Sequence, residues 1–189
     1  MTSAVITGRV LPRNAVVSIL LVVSAAALTA LAAQWVIYLP FTPVPITGQT
    51  FAVLLTGAAL GWKLGAAGQG LYVIAGALGA PVFAESRGGV DVVTGATGGY
   101  LIGFVFAAGL VGWMAEKRQD RTFSTMFTAF VLGSAVIYVF GVIGLMVTVD
   151  MSLEEAVVAG VVPFLLGDLI KAAAAGLILP TAWRLTGER

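Results

Sequence analysis

The chain has 189 residues, of which 59% are hydrophobic and 10% are charged, and its mean hydropathy is +1.03. This composition lies outside the range of water-soluble domains and is typical of a protein embedded in lipid. Cysteine and histidine are both absent, which excludes disulfides, thiolate metal sites, most other transition-metal sites and His-dependent catalytic triads. The formal net charge of +1 offers no basic patch for nucleic acid.

The distances between charged residues indicate how often the chain crosses the membrane, because a spanning helix needs roughly 20 apolar residues. The uncharged stretch from Asn14 to Trp62 is too long for one helix, and Pro40, Pro43 and Pro45 interrupt it. Continuous apolar runs also favour helices over barrel strands. The sequence therefore predicts an all-α membrane protein, a single domain that forms a compact bundle of six transmembrane helices. The predicted spans are residues 15–39, 47–62, 64–80, 94–115, 122–149 and 156–183.

Lys and Arg collect in alternate loops, and the positive-inside rule assigns those loops to the cytoplasm. Both chain ends are then cytoplasmic, as in a multi-pass protein of the inner (cytoplasmic) membrane. The residues expected inside are Arg9, Arg13, Lys63, Lys117, Arg118, Arg121, Arg184 and Arg189. The residues expected outside are Glu85, Arg87, Asp91, Asp150, Glu154 and Glu155. Arg87 alone breaks the rule.

The first span has an alternative interpretation. Arg9 and Arg13, followed by an apolar run and by Ala30-Leu31-Ala32, also resemble a cleavable signal peptide. The run is longer than the usual core of a signal peptide, and its removal would leave an odd number of spans. We therefore expect the segment to be retained.

Small residues recur at four-residue spacing in several spans, a pattern typical of close helix contacts in lipid. They are Gly57 with Gly61, Gly95 with Gly99 and Gly103, Ala172 with Gly176, Ala26 with Ala30, and Thr29 with Ala33. The simpler interpretation is packing within the bundle. The alternative is a contact between chains through the first span, and spacing alone does not choose between the two.

Asp168 and Lys171 are opposite charges inside the sixth apolar run. Because each would cost about 2.5 to 3.5 kcal/mol at the centre of a spanning helix, we expect the pair to have a role. Three residues apart, the two side chains share one helix face and can divide their hydrogen bonds over one polar ligand. The alternatives are a self-satisfied pair that joins helices and a proton relay. The main helix either begins near Pro163, a residue tolerated in a first turn, or continues through a kink there.

Two other segments carry polar groups that can reach this pair. Arg87 follows the third span beside two glycines, where it can hold an anion or simply be solvated. Thr47, Gln49 and Thr50 begin the second span and offer uncharged donors and acceptors, although helix capping would also explain them. The aromatic residues that could form an apolar wall are Phe41, Tyr72, Phe83 and Tyr100.

Four ordered motifs, spread over nearly the whole chain, carry a family resemblance. They are residues 43–55 (PVPITGQTFAVLL), 79–84 (GAPVFA), 94–104 (TGATGGYLIGF) and 163–171 (PFLLGDLIK). Together they resemble the BioY family, the biotin-specific substrate-capture subunits of energy-coupling-factor (ECF) transporters. The resemblance implies a six-helix bundle with a high-affinity biotin pocket near the external face, closed by loops.

The same resemblance implies partner subunits, namely a transmembrane coupling protein and two ATP-binding cassette (ABC) ATPases. The chain lacks a G-x-x-x-x-G-K-[ST] loop, so ATP hydrolysis is expected on the partners and the chain is not expected to be an enzyme. The alanine-rich first span is similar to the family's docking surface, which makes Ala26 and Ala30 the docking candidates. Two departures from the family pattern concern the lid: Gly95-Ala96-Thr97 in place of Gly-Pro-Thr, and a charged Glu85-Ser86-Arg87.

In the expected site, Asp168 accepts from a ureido N–H of biotin, Lys171 donates to a neighbouring oxygen, and Arg87 meets the carboxylate, although these roles can be exchanged. The expected substrate-binding residues are Asp168, Lys171, Arg87, Gln49, Thr47, Phe83 and Tyr100. No metal or cofactor is expected. The alternative functions are capture of another vitamin such as thiamine or riboflavin, a membrane-embedded enzyme, and a structural oligomer without a ligand.

Overall fold

The computed structural model describes residues 5–12 and 14–186, without the side chain of Arg9. Arg13 and Arg189, both assigned to the cytoplasm from the sequence, therefore lie outside the described residues. The described chain is predominantly helical, in agreement with the predicted all-α class. Its helices are α1 (Thr7–Val10), α2 (Ala15–Ala33), α3 (Gln49–Leu60), α4 (Trp62–Ala77), α5 (Val90–Val93), α6 (Gly98–Glu116), α7 (Phe123–Thr148), α8 (Leu153–Gly160) and α9 (Leu165–Leu185). Two strands, β1 (Val36–Ile37) and β2 (Ile46–Thr47), and two 3-10 turns, Ala84–Ser86 and Val162–Phe164, complete it.

Four stretches of the described residues are long and apolar enough to cross a membrane: Ala15–Ala33, Gly98–Glu116, Phe123–Thr148 and Leu153–Leu185. The last of these contains α8, the second 3-10 turn and α9. Helix α3 is apolar but has 12 residues, a length of about 18 Å against roughly 30 Å of bilayer hydrocarbon. This protein is therefore a membrane protein whose apolar helices differ widely in length.

The first helix is shorter than the predicted span of residues 15–39. Helix α2 ends at Ala33, and Gln34 follows it as the C-cap. The chain then forms an antiparallel pair in which Val36 lies opposite Thr47 and Ile37 opposite Ile46. The charge pattern could not show this end because residues 34–39 are uncharged. The paired strands bring the start of α3 back to the end of α2.

The second and third predicted spans, residues 47–62 and 64–80, correspond to α3 and α4. Gly61 makes the turn between them with φ of 83° and ψ of 173°, a left-handed backbone conformation that favours glycine. Its N–H donates to the carbonyl of Gly57. The two helices therefore form a tight hairpin.

Helix α6 lies at the centre of the bundle and packs against α3, α4 and α7. A Cβ added at Gly99 would meet the carbonyl of Phe140, and the Cα of Gly144 would lie 2.9 Å away. On the opposite side, a Cβ added at Gly57 would lie 2.6 Å from the carbonyl oxygen of Ala108. These contacts are all within one chain, so the structure favours packing within the bundle at these glycines.

The sixth predicted span is divided into two helices. Helix α8 begins with a capping box formed by Ser152 and Glu155 and ends at Gly160. The 3-10 turn that contains Pro163 separates it from α9. The structure therefore favours a main helix that begins near Pro163, and the alternative of one continuous kinked helix is wrong. Asp168 lies in the first turn of α9, where the helix dipole favours a negative charge.

Candidate ligand-binding site

A cavity of about 170 Å³ lies at the end of the bundle where α3, α6 and α9 begin. It is bordered by the loops that connect α2 to α3 and α4 to α6. Six of the seven predicted substrate-binding residues line it: Thr47, Gln49, Phe83, Arg87, Tyr100 and Lys171. The fold thus brings these six predicted residues together from four separate segments of the chain: residues 47–49, the loop 83–87, α6 and α9.

Asp168, the seventh predicted residue, lies directly behind the lining. Its carboxylate accepts three hydrogen bonds: Oδ1 from Lys171 Nζ at 2.9 Å and from Thr50 Oγ1 at 3.1 Å, and Oδ2 from the Tyr138 hydroxyl at 2.6 Å. These three donors line the cavity, whereas Asp168 does not and is 7% exposed. Without a ligand, Asp168 therefore lies behind its three donors, and its expected contact with a ligand stays a prediction.

Lys171 is held by α3 as well as by its partner on α9. Its Nζ donates to Asp168 Oδ1 at 2.9 Å, to Thr50 Oγ1 at 2.7 Å and to the carbonyl oxygen of Thr47 at 3.1 Å. The ion pair is therefore satisfied internally and joins two helices, as one alternative from the sequence proposed. The side chain of Lys171 is nevertheless 22% exposed and lines the cavity. The same pair thus joins helices and presents a cation to the cavity.

A chain of hydrogen bonds holds the polar residues at the start of α3. Thr47 Oγ1 donates to Gln49 Oε1 at 2.8 Å, and Gln49 Nε2 donates to the Tyr72 hydroxyl at 2.8 Å. Tyr72 in turn donates to the carbonyl oxygen of Val82 at 3.1 Å. Tyr72 is 1% exposed and does not line the cavity, so it supports Gln49 instead of forming the wall that the sequence suggested.

The apolar wall of the cavity is aromatic. The Phe83 ring packs edge-on against Tyr72 with centroids 5.4 Å apart, and the Tyr100 ring lies 6.3 Å from Phe164. The Tyr100 hydroxyl donates to the carbonyl oxygen of Gly160 at 2.7 Å, which ties this wall to the end of α8. Phe41, also proposed from the sequence, is 65% exposed and lies outside the cavity, because the β1–β2 loop turns it outward.

The opening of the cavity carries charged groups. Arg87 Nη2 lies 3.8 Å from Asp91 Oδ2, and both side chains are more than half exposed, so this ion pair contributes little stability. A hydrogen bond with Glu85 raises the pKa of Tyr38, which lines the same opening. Arg87 is thus solvated and also borders the cavity, which combines the two interpretations that the sequence left open.

Tyr138 is the site residue that the sequence did not reveal. It lies within the apolar helix α7, and 30 positions separate it from Asp168, so no spacing rule connects them. The sequence held only a weak signal for Tyr138: a tyrosine hydroxyl within an apolar helix needs a hydrogen-bond partner when it is buried. The packing of α7 against α9 supplies that partner.

The assembled site combines a cation, several uncharged donors and acceptors, and aromatic walls. Such a concave surface, mostly apolar with a few convergent polar groups, is typical of a small-molecule site. A polar head group can lie against Lys171, Thr50 and Tyr138, and an apolar body against Phe83 and Tyr100. A negatively charged tail would then point toward Arg87 at the opening.

Known proteins resemble this chain over most of its length. The family model described as the BioY family matches residues 4–188. The Biotin transporter BioY of Thermotoga maritima is 41% identical over 153 residues, which cover 81% of this chain and 89% of that protein. The Biotin transporter BioY of Rhizobium etli is 34% identical over 149 residues, which cover 75% of this chain and 79% of that protein.

A solved structure shares the fold. The crystal structure at 2.1 Å of the S-component for biotin from an ECF-type ABC transporter superposes with a TM-score of 0.79 at 25% sequence identity. The match covers 92% of this chain and 93% of that one. From the family match, the two relatives and this fold, it follows that the chain belongs to the BioY family.

Proposed function

We propose that this chain captures biotin with high affinity as the substrate-binding subunit of an ECF-type ABC transporter and so serves biotin uptake. The observation that carries the proposal is a cavity in which Lys171, held by a buried carboxylate, faces an aromatic wall. Biotin has a polar ureido group, an apolar sulfur ring and a valerate carboxylate. The relatives named as biotin transporters support this choice of ligand.

In the proposed complex, the ureido group of biotin lies against the cluster around Asp168. Lys171 donates to the ureido oxygen, and Asp168 holds Lys171 in place and accepts a ureido N–H when the Thr50 hydroxyl turns away. An analogue that lacks one of these partners leaves a buried charge incompletely hydrogen-bonded, which is costly. Recognition through this cluster therefore gives both affinity and selectivity.

The remaining predicted residues complete the pose. The sulfur ring lies between Phe83 and Tyr100, and Thr47 and Gln49 contribute uncharged polar contacts. Arg87 meets the valerate carboxylate at the opening, where it must exchange its weak pairing with Asp91 for the ligand.

We further propose six membrane crossings, formed by α2, α3 together with the strand β2 that precedes it, α4, α6, α7 and the α8–α9 segment, with both chain ends in the cytoplasm. The loop that carries Glu85, Arg87 and Asp91 then lies on the external side of the inner (cytoplasmic) membrane, so the cavity opens toward that side. The positive-inside distribution of Lys and Arg supports this orientation. The whole chain forms a single membrane domain.

The proposed partners are a transmembrane coupling protein and two ABC ATPase subunits, which hydrolyse ATP for the complex. We propose α2 as the docking helix, with Ala26 and Ala30 at the contact. Both alanines are half-buried and pack partly against the core, while their neighbours Val23 and Leu31 are exposed. In the proposed complex, a helix of the coupling protein approaches α2 closely where these two small side chains lie.

Titration calorimetry on the purified chain tests the proposed ligand. We expect one saturable site for biotin, and no measurable displacement of biotin by thiamine or riboflavin. Preferential binding of thiamine or riboflavin would identify that vitamin, and not biotin, as the ligand. A chain that is folded by thermal unfolding and binds none of the three would contradict vitamin capture and favour a structural role.

A further inference from the structure

The loop of residues 83–87 forms one side of the cavity and has an unusual backbone. Phe83, Ala84, Glu85 and Arg87 all line the cavity. Within this loop, Glu85 and Ser86 have φ values of 59° and 55°. Non-glycine residues avoid this left-handed region, so contacts elsewhere must hold the loop in this conformation.

Helix α4 holds the two flanks of this loop. Before it, the Tyr72 hydroxyl donates to the carbonyl oxygen of Val82 at 3.1 Å. After it, the N–H of Gly89 donates to the carbonyl oxygen of Gly76 at 2.7 Å. Neither bond involves Glu85 or Ser86, where the left-handed conformation occurs.

Gln34, the first residue after α2, holds the loop itself. Its Oε1 accepts from the backbone N–H of Ser86 at 3.0 Å and from the Ser86 hydroxyl at 3.2 Å. Its Nε2 donates to the carbonyl oxygen of Phe83 at 3.1 Å and to that of Ala30, in the last turn of α2, at 2.9 Å. One side-chain amide thus connects the end of α2 to the loop at Phe83, before the left-handed residues, and at Ser86, the second of them.

We propose that Gln34 is a positioning residue that latches the loop of residues 83–87 onto α2 and thereby keeps the ligand cavity closed. This inference rests on the proposed function, since it assigns a role in retention of the captured ligand. The Phe83 carbonyl and the Ser86 N–H lose their partner together when Gln34 moves. Because Gln34 also bonds to Ala30, a displacement of the last turn of α2 pulls the latch and opens the wall that contains Phe83.

The test measures how fast radiolabelled biotin leaves the purified full-length chain after a chase with unlabelled biotin. Gln34→Met keeps the length of the side chain but removes its hydrogen bonds, so we expect release to be about ten- to a hundredfold faster. Gln34→Glu keeps the acceptor for Ser86 but sets a carboxylate oxygen against the carbonyl oxygens of Phe83 and Ala30, so we expect release at least as fast as in Gln34→Met. Leu31→Ala, an exposed neighbour on the same helix, should release biotin at the wild-type rate.

A second readout does not require ligand. The chain has no cysteine, so Ala84→Cys introduces a single thiol at the cavity wall, and its reaction with a membrane-impermeant maleimide reports opening. Faster labelling in the Gln34→Met background, at an unchanged unfolding temperature, would support the latch. If Gln34→Met releases biotin and reacts with the maleimide at wild-type rates, the latch is overturned. It is also overturned if the faster release and labelling occur only together with a lowered unfolding temperature. Failure of the wild-type chain to bind biotin would refute the proposed function, while the labelling experiment would still decide on the latch.

Discussion

Tyr138 supports the buried carboxylate of Asp168 from the opposite side to Lys171. The Tyr138 hydroxyl donates a hydrogen bond to Asp168 Oδ2 at 2.6 Å, whereas Oδ1 accepts hydrogen bonds from both Lys171 and Thr50. Loss of this donor would leave a buried charged oxygen without a partner, and hydrogen bonds to charged groups contribute about 1.5 to 3 kcal/mol. The orientation of the carboxylate therefore depends on a residue from a different helix.

We predict that Tyr138→Phe weakens biotin binding by roughly ten- to a hundredfold, because the Asp168 carboxylate loses the bond that fixes its orientation and its other oxygen, Oδ1, then holds Lys171 and Thr50 less firmly. Titration calorimetry measures the change. Tyr38→Phe is the matched control, since Tyr38 lies at the rim and is 57% exposed, and it should change affinity little. Equal losses in both variants, or none in Tyr138→Phe, would refute this role.

The residues of the site were predictable where their chemistry conflicts with lipid. Asp168 and Lys171 stand out because charges inside an apolar run are costly, and the motifs identify Gln49 and Phe83. The position of Asp168 behind the wall was not predictable, because it depends on how α7 packs and on where Tyr138 then points. Spacing along one helix does not contain that information.

Helix boundaries were predictable where proline or charge marks them. Pro163 marks the division between α8 and α9, and prolines mark the loop before α3. The end of α2 at Ala33 was missed, because the uncharged residues that follow form a strand pair instead of continuing the helix. The loop 83–87 was equally hidden, since its conformation depends on Gln34, which is distant in sequence.

At the level of helix packing, we predict that Gly99→Ala destabilises the chain by about 1 to 3 kcal/mol, because a methyl group there overpacks the contact with Phe140 and Gly144. Thermal unfolding in detergent measures the effect. Gly70→Ala is the control, since nothing lies within 4 Å of the added Cβ, and it should gain roughly 0.5 to 1 kcal/mol. A similar shift for both variants would show that α6 and α7 tolerate separation.

For α2, we predict that Ala30→Leu lowers co-purification with the coupling protein while biotin binding is kept, because the larger side chain prevents close approach of a partner helix. Ala135→Leu, the same change at an exposed position of α7, should leave the complex intact. Pull-down of the coupling protein at matched expression provides the measurement. Unchanged recovery with Ala30→Leu would remove this part of α2 from the docking surface.

At the scale of the whole molecule, the bundle brings α3, α7 and α9 together around one ion pair at one end. Removal of one partner from such a pair leaves an uncompensated buried charge, whereas replacement of both by neutral residues is often tolerated. A purely structural pair and a ligand-binding pair therefore differ most clearly when both charges are removed at once.

The most direct test is equilibrium binding of radiolabelled biotin to the double variant Asp168→Asn with Lys171→Met, after thermal unfolding has shown that it is folded. We predict a folded chain whose affinity for biotin is at least about a hundredfold below that of the wild type. A folded double variant that binds biotin as tightly as the wild type would contradict it.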